Sequence, residues 1–348
     1  MIFRSFPFRD ELPRRGQGRT SKPDMKTLGI SIPTYKRPDF LKRCILSAID
    51  SAEGRPVRIF VADDSASDVN DAVLAELVAA WPFVHAYKNP ANLGLDNNIQ
   101  RSVDLCDCDY AWIVGEDDYF LPGSVRRVVD RLQHSDHAFV FANYAYVGDR
   151  DDSQIGQALK LPDGPIPGID FIDQHLWAAG FIGACIVDRR RWSTTSPAPY
   201  KGTYYTHVGR ICEMLAAADS TLLVIAEPCV ANRVEGTDTF TWKNDSYGVF
   251  FGFKDMCEAV ARNHPRIAAA ARNAATVMEK HYGWLSLKVA MRLRSGLGYD
   301  HAQYRRYLAS STANPLKRLA FMLISVAPPS AFRPLVAAHR WLRGAAAH

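Results

Sequence analysis

Apolar positions along the first half of the chain alternate between two periods. Short β-rich runs, LGISIPTY (28–35), VRIFVADDS (57–65), VHAYKN (84–89) and YAWIVGEDD (110–118), each close in polar residues. Helical patterns separate them. PDFLKRCILSAIDS (38–51) sets Phe40, Leu41, Cys44, Ile45, Ala48 and Ile49 on one face with Pro38 in its first turn. DVNDAVLAELVAAW (68–81) starts at Asp68 as a candidate N-cap, and NLGLDNNIQRSVDLC (92–106) turns into a helix through Gly94. The βαβαβαβ order predicts an α/β fold: a mostly parallel central sheet flanked by helices, with a ligand crevice beyond the carboxyl ends of its strands. PGSVRRVVDRLQ (122–133) and HAFVFANYAYV (137–147) continue as helix and strand. The pattern then loosens through a Pro-, Gly- and Asp-rich stretch at 148–168, and after about residue 245 it reads as helices to the end.

Two acid pairs fall on the predicted crevice edge: Asp63 and Asp64 close the second strand, and Asp117 and Asp118 close the fourth, with Glu116 beside them. Carboxylates this close repel one another and require a positive partner. With no HExxH, no CxxC and no Cys/His cluster, the pattern favours a hard cation, Mg2+ or Mn2+, sharing its ligands with a diphosphate and stabilising it as a leaving group.

Composition changes this picture little. At 348 residues and 47% hydrophobic, the chain has room for one large domain with an extension. The net charge of +5 is spread over well-mixed acids and bases, so no nucleic-acid partner is expected. Residues 1–25 read as a disordered arm, with Met25 a natural chain start, 26–245 as the α/β domain in halves 26–135 and 136–245, and 246–348 as a helical extension. That extension is basic, for no acid follows Asp300. Its segment FRPLVAAHRWLRG (332–344) carries an apolar face of Leu335, Val336, Trp341 and Leu342, suited to a membrane surface, whereas LAFMLISVAPP is too short to span one. The seven cysteines read as reduced thiols, which places the chain in the cytoplasm, peripheral on the inner membrane's cytoplasmic face if the tail binds lipid.

SIPTYKRPDFL, VADDSASD, NLGLDNN and WIVGEDD resemble, in order and spacing, the nucleotide-sugar domain of family 2 glycosyltransferases of the GT-A fold. The likeness is good over about 27–135 and looser to about 240; NLGLDNN with a Gly-led acid cluster looks most like enzymes of the abequosyltransferase kind, which add a deoxysugar to lipid-linked oligosaccharide. The resemblance implies a nucleotide-sugar donor and a saccharide or polyprenyl-linked oligosaccharide acceptor. It places Pro33, Thr34, Tyr35 and Arg37 around the nucleotide and gives one of Asp63 and Asp64 to the base. Asp117 meets the ribose or the metal, Asp118 ligates the metal, and Asn92 and Gly94 shape the turn beside the base. The chain departs from the pattern twice. Gly115 stands where the family has an Asp, which argues against a three-acid metal site, and the Arg expected near 97–99 is missing, leaving Arg101 or Arg233 as diphosphate cations.

An inverting transfer needs a base for the acceptor hydroxyl. The family's Asp falls here at His207 in YYTHVGRICEML, with Asp170, Asp173, Glu213 and Asp238 as alternatives. FIGACIVDRRRW resembles the family's acceptor floor, where Gly183 and Ala184 let a sugar approach. Two other readings stand beside the transferase: a nucleotidyltransferase, which lacks the Gly-rich loop it needs after the first strand, and a catalytically silent sugar-binding or scaffold protein.

Overall fold

The computed structural model describes residues 25–148, 154–233, 245–296 and 298–334. The residue 1–24 arm, Asp238, and the 335–342 part of the amphipathic tail lie outside them. Strands β1 (Leu28–Thr34), β2 (Arg58–Asp63), β3 (Val84–Lys88) and β4 (Tyr110–Ile113) run parallel in the order β3-β2-β1-β4. Helices α1 (Pro38–Ala52), α2 (Asp71–Ala80) and α3 (Leu95–Leu105) make the crossovers. Both faces are covered, so β1 is buried along its whole length. Pro33 is tolerated in this central strand because it lies past the last β1–β4 pair, Ser31 with Ile113.

The second half extends the same sheet. β5 (Tyr119–Phe120), α4 (Ser124–Leu132), β6 (Phe139–Val147), β7 (Gln154–Gln157), β8 (Gly164–Pro167), α5 (Gly168–His175), β9 (Cys185–Asp188), α6 (Arg189–Trp192), α7 (Thr206–Leu215) and β10 (Thr221–Arg233) follow in the chain. β9 is antiparallel to β4 and to β6, so β6 and the β10 beside it run with the first four strands. The carboxyl ends of β1, β2, β4, β6 and β10 therefore share one edge. α2 starts at Asp71 rather than after Asp68, because Asn70, at its cap, turns its amide to Asp63 and Ser65 instead of capping the helix.

The helical region expected from residue 246 divides in two. α8 (Ser246–Asn263) and α9 (Ala268–Tyr282) bury Phe253, Met256, Val260, Ala271 and Met278 in the main core. α10 (Leu287–Gly296), α11 (His301–Gln303) and α12 (Pro315–Val326) build a smaller core of Ala290, Leu293, Tyr299, Leu308, Phe321 and Ile324 around Tyr247. Among the described residues no helix is long and apolar enough to cross a membrane. All seven cysteines are buried and unbridged.

α8 meets the second half of the sheet domain at Gly252, where an added Cβ would stand 2.1 Å from the Thr203 carbonyl oxygen. Backbone cannot yield as a side chain does, so Gly252→Ala is expected to lower the urea unfolding free energy by about 2 kcal/mol. Unchanged stability would contradict this packing of α8.

Candidate active site at the carboxyl edge

The two acids that close β2 are put to different uses. Asp64 accepts from the backbone N–H of Leu93 (2.7 Å) and Gly94 (3.0 Å) and from the Asn89 amide (3.0 Å), so it holds the loop before α3 against β2. Asn92 closes the same loop by accepting from Gly94 N–H, and Gly94 takes φ 79, ψ 163, a conformation open to little but glycine. Asp63 is fully buried. Its Oδ1 accepts from Ser65 N–H, Ser65 Oγ and the Asn70 amide, whereas its Oδ2 has no partner. Thr34, its register partner on β1, also has an unpartnered buried hydroxyl. Unsatisfied polar atoms paired at a strand end are costly unless a ligand completes them. Of the two acids, Asp63 is thus the one with acceptor capacity left for a nucleotide.

Strain marks the same edge. Lys36 after β1 (φ 57) and Ala66 after β2 (φ 49) are non-glycine residues in the left-handed region, and Lys36 N–H donates to Ser65 Oγ between the two turns. The Lys36 ammonium lies 5.0 Å from the Tyr35 ring centroid. Asn98 ties the pocket wall together, its amide reaching the Ala62 carbonyl (3.1 Å) and its Oδ1 accepting from Asn89.

The second acid cluster sits in the tight turn after β4. Val114 N–H donates to the Ser31 carbonyl and Asp118 N–H to that of Gly115, while β5, next in the chain, is pinned to α1 through Ser47 Oγ and Ser51 Oγ and pairs with β10. Gly115 lies close under both acids: a Cβ there would lie 3.0 Å from Asp117 Oδ1 and 3.1 Å from Asp118 Oδ2, so these oxygens would have to shift by a few tenths of an ångström. The missing family Asp thus leaves room for these two oxygens to converge, no more than about 6 Å apart. Burial and the neighbouring Asp117 push the Glu116 carboxyl up to about 7, against the pull of Arg37. Asp118 is pushed well up by burial first, then by Asp117 and Glu116. Arg37 Nη1 bridges Asp117 (2.9 Å) and Glu116 (3.5 Å), but no cation or hydrogen-bond donor among the described residues reaches the Asp118 side chain.

Arg37 is therefore an acid-cluster residue, a partnership that only the folded chain brings together. Arg101 acts electrostatically on Asp104 together with Arg210 and Arg189, and Arg189 follows β9 at the sheet's opposite edge. Arg233 ends β10 on the crevice side, its guanidinium 5.6 Å from the ring centroid of Phe40 in the first turn of α1. Arg43 stacks nearby on Tyr119 of β5 at 4.1 Å. Neither Arg43 nor Tyr119 stood out in the sequence, since surface-type residues of α1 and a two-residue strand carry no periodic signal.

On the acceptor side His207 does not open onto the crevice. It is 1% exposed in the first turn of α7, with Nε2 against the Ala179 carbonyl at 3.2 Å and Nδ1 without a partner. Burial, partly offset by that hydrogen bond, lowers its pKa to about 4, so the ring is neutral. Asp173 is held by Asn273 of α9, and Glu213 accepts weakly from Ser196 N–H. Asp96, passed over in the sequence, accepts from Tyr204 N–H and Thr206 N–H and so supports the start of α7 from outside the helix. The small residue at 183 is required by packing, as the Phe181 ring stands 2.6 Å from where its Cβ would be. The Gly183 carbonyl accepts from Trp112 Nε1 of β4, and Ile182 Cδ1 reaches to 3.7 Å of the Cβ position at Gly115. The FIGA segment thereby buttresses the acid turn.

Among the described residues no three His, Cys, Asp or Glu side chains form a metal-binding group. A metal at this edge would find the Asp117–Asp118 pair and would take its other ligands from diphosphate and water. The lone buried Asp118 carboxylate fits such a cation.

Known proteins resemble this chain over much of its length. Residues 30–186 match the Glycosyl transferase family 2 model. Abequosyltransferase RfbV of Salmonella typhimurium is 23% identical over 291 residues, which span 76% of this chain and 83% of that protein. An uncharacterized Mycobacterium tuberculosis protein, MT1568, is 27% identical over 120 residues, 34% of this chain and 37% of its own. Residues 1–349 of TarS from S. aureus share the fold with a TM-score of 0.54 at 10% identity, over 90% of this chain and 91% of that one. The same TarS fragment in complex with UDP-GlcNAc gives 0.55 at 9% identity, over 90% and 92%.

His207 leaves a readable trace in stability. Its folded pKa of about 4 lies below the ordinary histidine value, so the stability due to its neutral form is full above about pH 6.5 and is lost as pH falls toward 4. His207→Gln should flatten the pH dependence of urea unfolding across that window by up to about 3 kcal/mol. Parallel profiles for the two proteins would contradict a buried, neutral His207.

Proposed function

Residues 30–186 form a family 2 glycosyltransferase domain, and from that premise we propose that this glycosyltransferase of polysaccharide synthesis is metal-dependent and inverting. In this reading it moves a sugar, in the deoxysugar class, from a nucleotide diphosphate donor to a saccharide acceptor carried on a lipid. The observation that carries the reading is the pairing, at one sheet edge, of a base-side acid with an unused oxygen and a diphosphate-side acid that no cation among the described residues reaches. The solved complex of TarS with UDP-GlcNAc supports a nucleotide-sugar donor, and the likeness to abequosyltransferase RfbV supports the deoxysugar class.

The residues divide the work along the edge. Asp63 Oδ2 accepts from the base, with Thr34 and Tyr35 lining the pocket and the Asp64-braced loop at Asn92 and Gly94 closing it. Asp117 and Asp118 would hold Mg2+ or Mn2+, which when bound neutralises the diphosphate as it leaves. Arg37 holds Asp117 in place through their ion pair. Arg233 faces the crevice from β10, where it adds positive charge toward the phosphates. The acceptor hydroxyl attacks the anomeric carbon from the side opposite the diphosphate and loses its proton as the new bond forms. His207 has the neutral ring and partnerless Nδ1 that such a base needs; acceptor binding would have to open a path to it.

Two variants separate the halves of the site. Asp118→Asn should cut turnover by roughly a hundredfold or more while leaving urea stability equal or higher, since it removes a buried, repelled carboxylate. Full activity would remove Asp118 from the metal role. Asp63→Asn should raise the nucleotide Kd about tenfold, read by calorimetry, with its response to Mn2+ retained. Unchanged nucleotide affinity would remove Asp63 from the base pocket.

A further inference from the structure

The residues given work so far leave one cluster at the carboxyl edge unused. Alternation along β6 sets Tyr144 and Tyr146 on one face of the strand, where their rings meet edge to face at 5.5 Å. The end of α9 supplies the rest. His281 stacks on Trp177 with centroids 3.9 Å apart, and Tyr282 meets the same indole edge-on at 6.0 Å. Gly283 (φ 62, ψ 34) then ends the helix in a left-handed turn, and Trp284 comes back to 6.1 Å from Tyr282. Tyr282 and Tyr146 belong together: burial and then Tyr146 raise the Tyr282 hydroxyl above the usual tyrosine range. This much aromatic surface is ordinarily buried, yet Tyr282 is 42% exposed, and Tyr146 and Trp284 are half-buried. The Trp284 Nε1–H is buried without a hydrogen-bond partner among the described residues.

The place of this cluster decides its occupant. Tyr119, the residue after Asp118, pairs with Ala231 of β10, and Ala231 pairs with Ala145 of β6. Ala145, between the two tyrosines, is therefore two strand spacings, about 10 Å, from the acid turn. Side chains bridge the same gap. Ile182 Cδ1 lies 3.7 Å from the Cβ position at Gly115, around which the Asp117 and Asp118 oxygens also sit, and the adjoining Phe181 ring is 4.3 Å from that of Tyr144. The nucleotide pocket at β1 and β2 is on the other side of the acid turn in the strand order, so the rings stand where an acceptor would approach the donor from the side opposite its diphosphate. Their chemistry suits a sugar. A pyranose has polarised C–H bonds on its faces and hydroxyls around its rim; the former meet the negative face of an aromatic ring, and the latter meet tyrosine hydroxyls and an indole N–H. A prenyl chain would leave those polar groups unpaired.

We infer that Tyr146, Tyr282 and Trp284 form the acceptor subsite, where a pyranose of the acceptor lies with its C–H face on the Tyr282 ring and its hydroxyls on Tyr146 and Trp284 Nε1. Resting on the saccharide-acceptor reading above, this subsite takes two of its three residues from the end of α9, beyond the matched 30–186 region. The tyrosines stay protonated at neutral pH and can each donate as well as accept.

The test is saturation-transfer difference NMR on the full chain, without donor, against the methyl pyranosides of glucose, galactose, mannose and rhamnose, each titrated to about 50 mM. Wild-type protein should bind at least one of them saturably, with transfer strongest to the C–H protons of one ring face. Tyr282→Ala should weaken that binding at least about tenfold, and Tyr282→Phe, which keeps the ring, should stay within about threefold of wild type. Tyr146→Phe should weaken it about threefold through the lost hydroxyl, and this conservative variant decides the matter if near-UV circular dichroism shows that the alanine variant does not fold. Absence of saturable binding by wild type overturns the inference, as does affinity unchanged in Tyr146→Phe or in a folded Tyr282→Ala. Binding of farnesyl phosphate in place of every glycoside would assign the rings to a prenyl chain and overturn it too. Calorimetric binding of a nucleoside diphosphate with Mn2+ to the wild-type protein reports on the transferase reading separately, because the glycosides are titrated without donor.

Discussion

Repulsion among carboxylates at the carboxyl edge of the sheet is the constraint around which the rest of this protein is arranged. Glu116, Asp117 and Asp118 are packed into one tight turn, with Asp118 buried and the other two half-buried, and Arg37 is the cation that the described fold brings against them. One guanidinium cannot offset three carboxylates. Glu116 is accordingly pushed up to about 7, and Asp118 has no counter-charge among the described residues. The turn survives this because its backbone is fixed from several sides: Ser31 from β1, Ser47 and Ser51 from α1, and β10 through β5. A rigid scaffold that holds an unsatisfied charge is the arrangement expected of a preformed cation site.

The β2 acids show how a single dipeptide can serve scaffold and ligand at once. Asp64 spends its acceptors on backbone N–H groups of the loop before α3 and so builds the pocket wall. Asp63 keeps one oxygen in reserve, facing the same strand end as the Thr34 hydroxyl. The left-handed backbone at Lys36 and Ala66 shows that the two turns bounding this pocket are held away from their relaxed conformations. Pocket, acid turn and the basic end of β10 all lie on one side of the sheet because parallel strands deliver their carboxyl ends together.

Much of this was legible in the sequence, for identifiable reasons. Parallel strands buried on both faces give near-continuous apolar runs, so β1, β2 and β4 stand out, and the acids that end them are local features of the chain. What stayed hidden depends on contacts between residues far apart. The division of labour between Asp63 and Asp64 rests on a loop some thirty residues on. Arg37 pairs with Asp117 across eighty residues. Asn70 ties down Asp63 where a helix cap was expected at Asp68, and Gly183 makes room for the Phe181 ring. His207 stands at the matching position in α7, but burial closes it off, which no spacing reveals. The C-terminal helices read as one extension because amphipathicity does not say which core a helix joins; α8 and α9 join the catalytic core, and α10 to α12 form their own.

The central claim is that the Asp117–Asp118 pair and a nucleotide diphosphate complete one metal site together. Linkage makes this directly measurable, since each ligand must then strengthen the binding of the other by the same factor. Titration of Mn2+ into the intact protein, followed by electron paramagnetic resonance with and without a nucleoside diphosphate, is the most direct test. Binding of Mn2+ should be weak alone and at least about tenfold tighter in the presence of the diphosphate, with a matching gain in nucleotide affinity. Nucleotide binding indifferent to Mn2+ and to chelator would contradict the account.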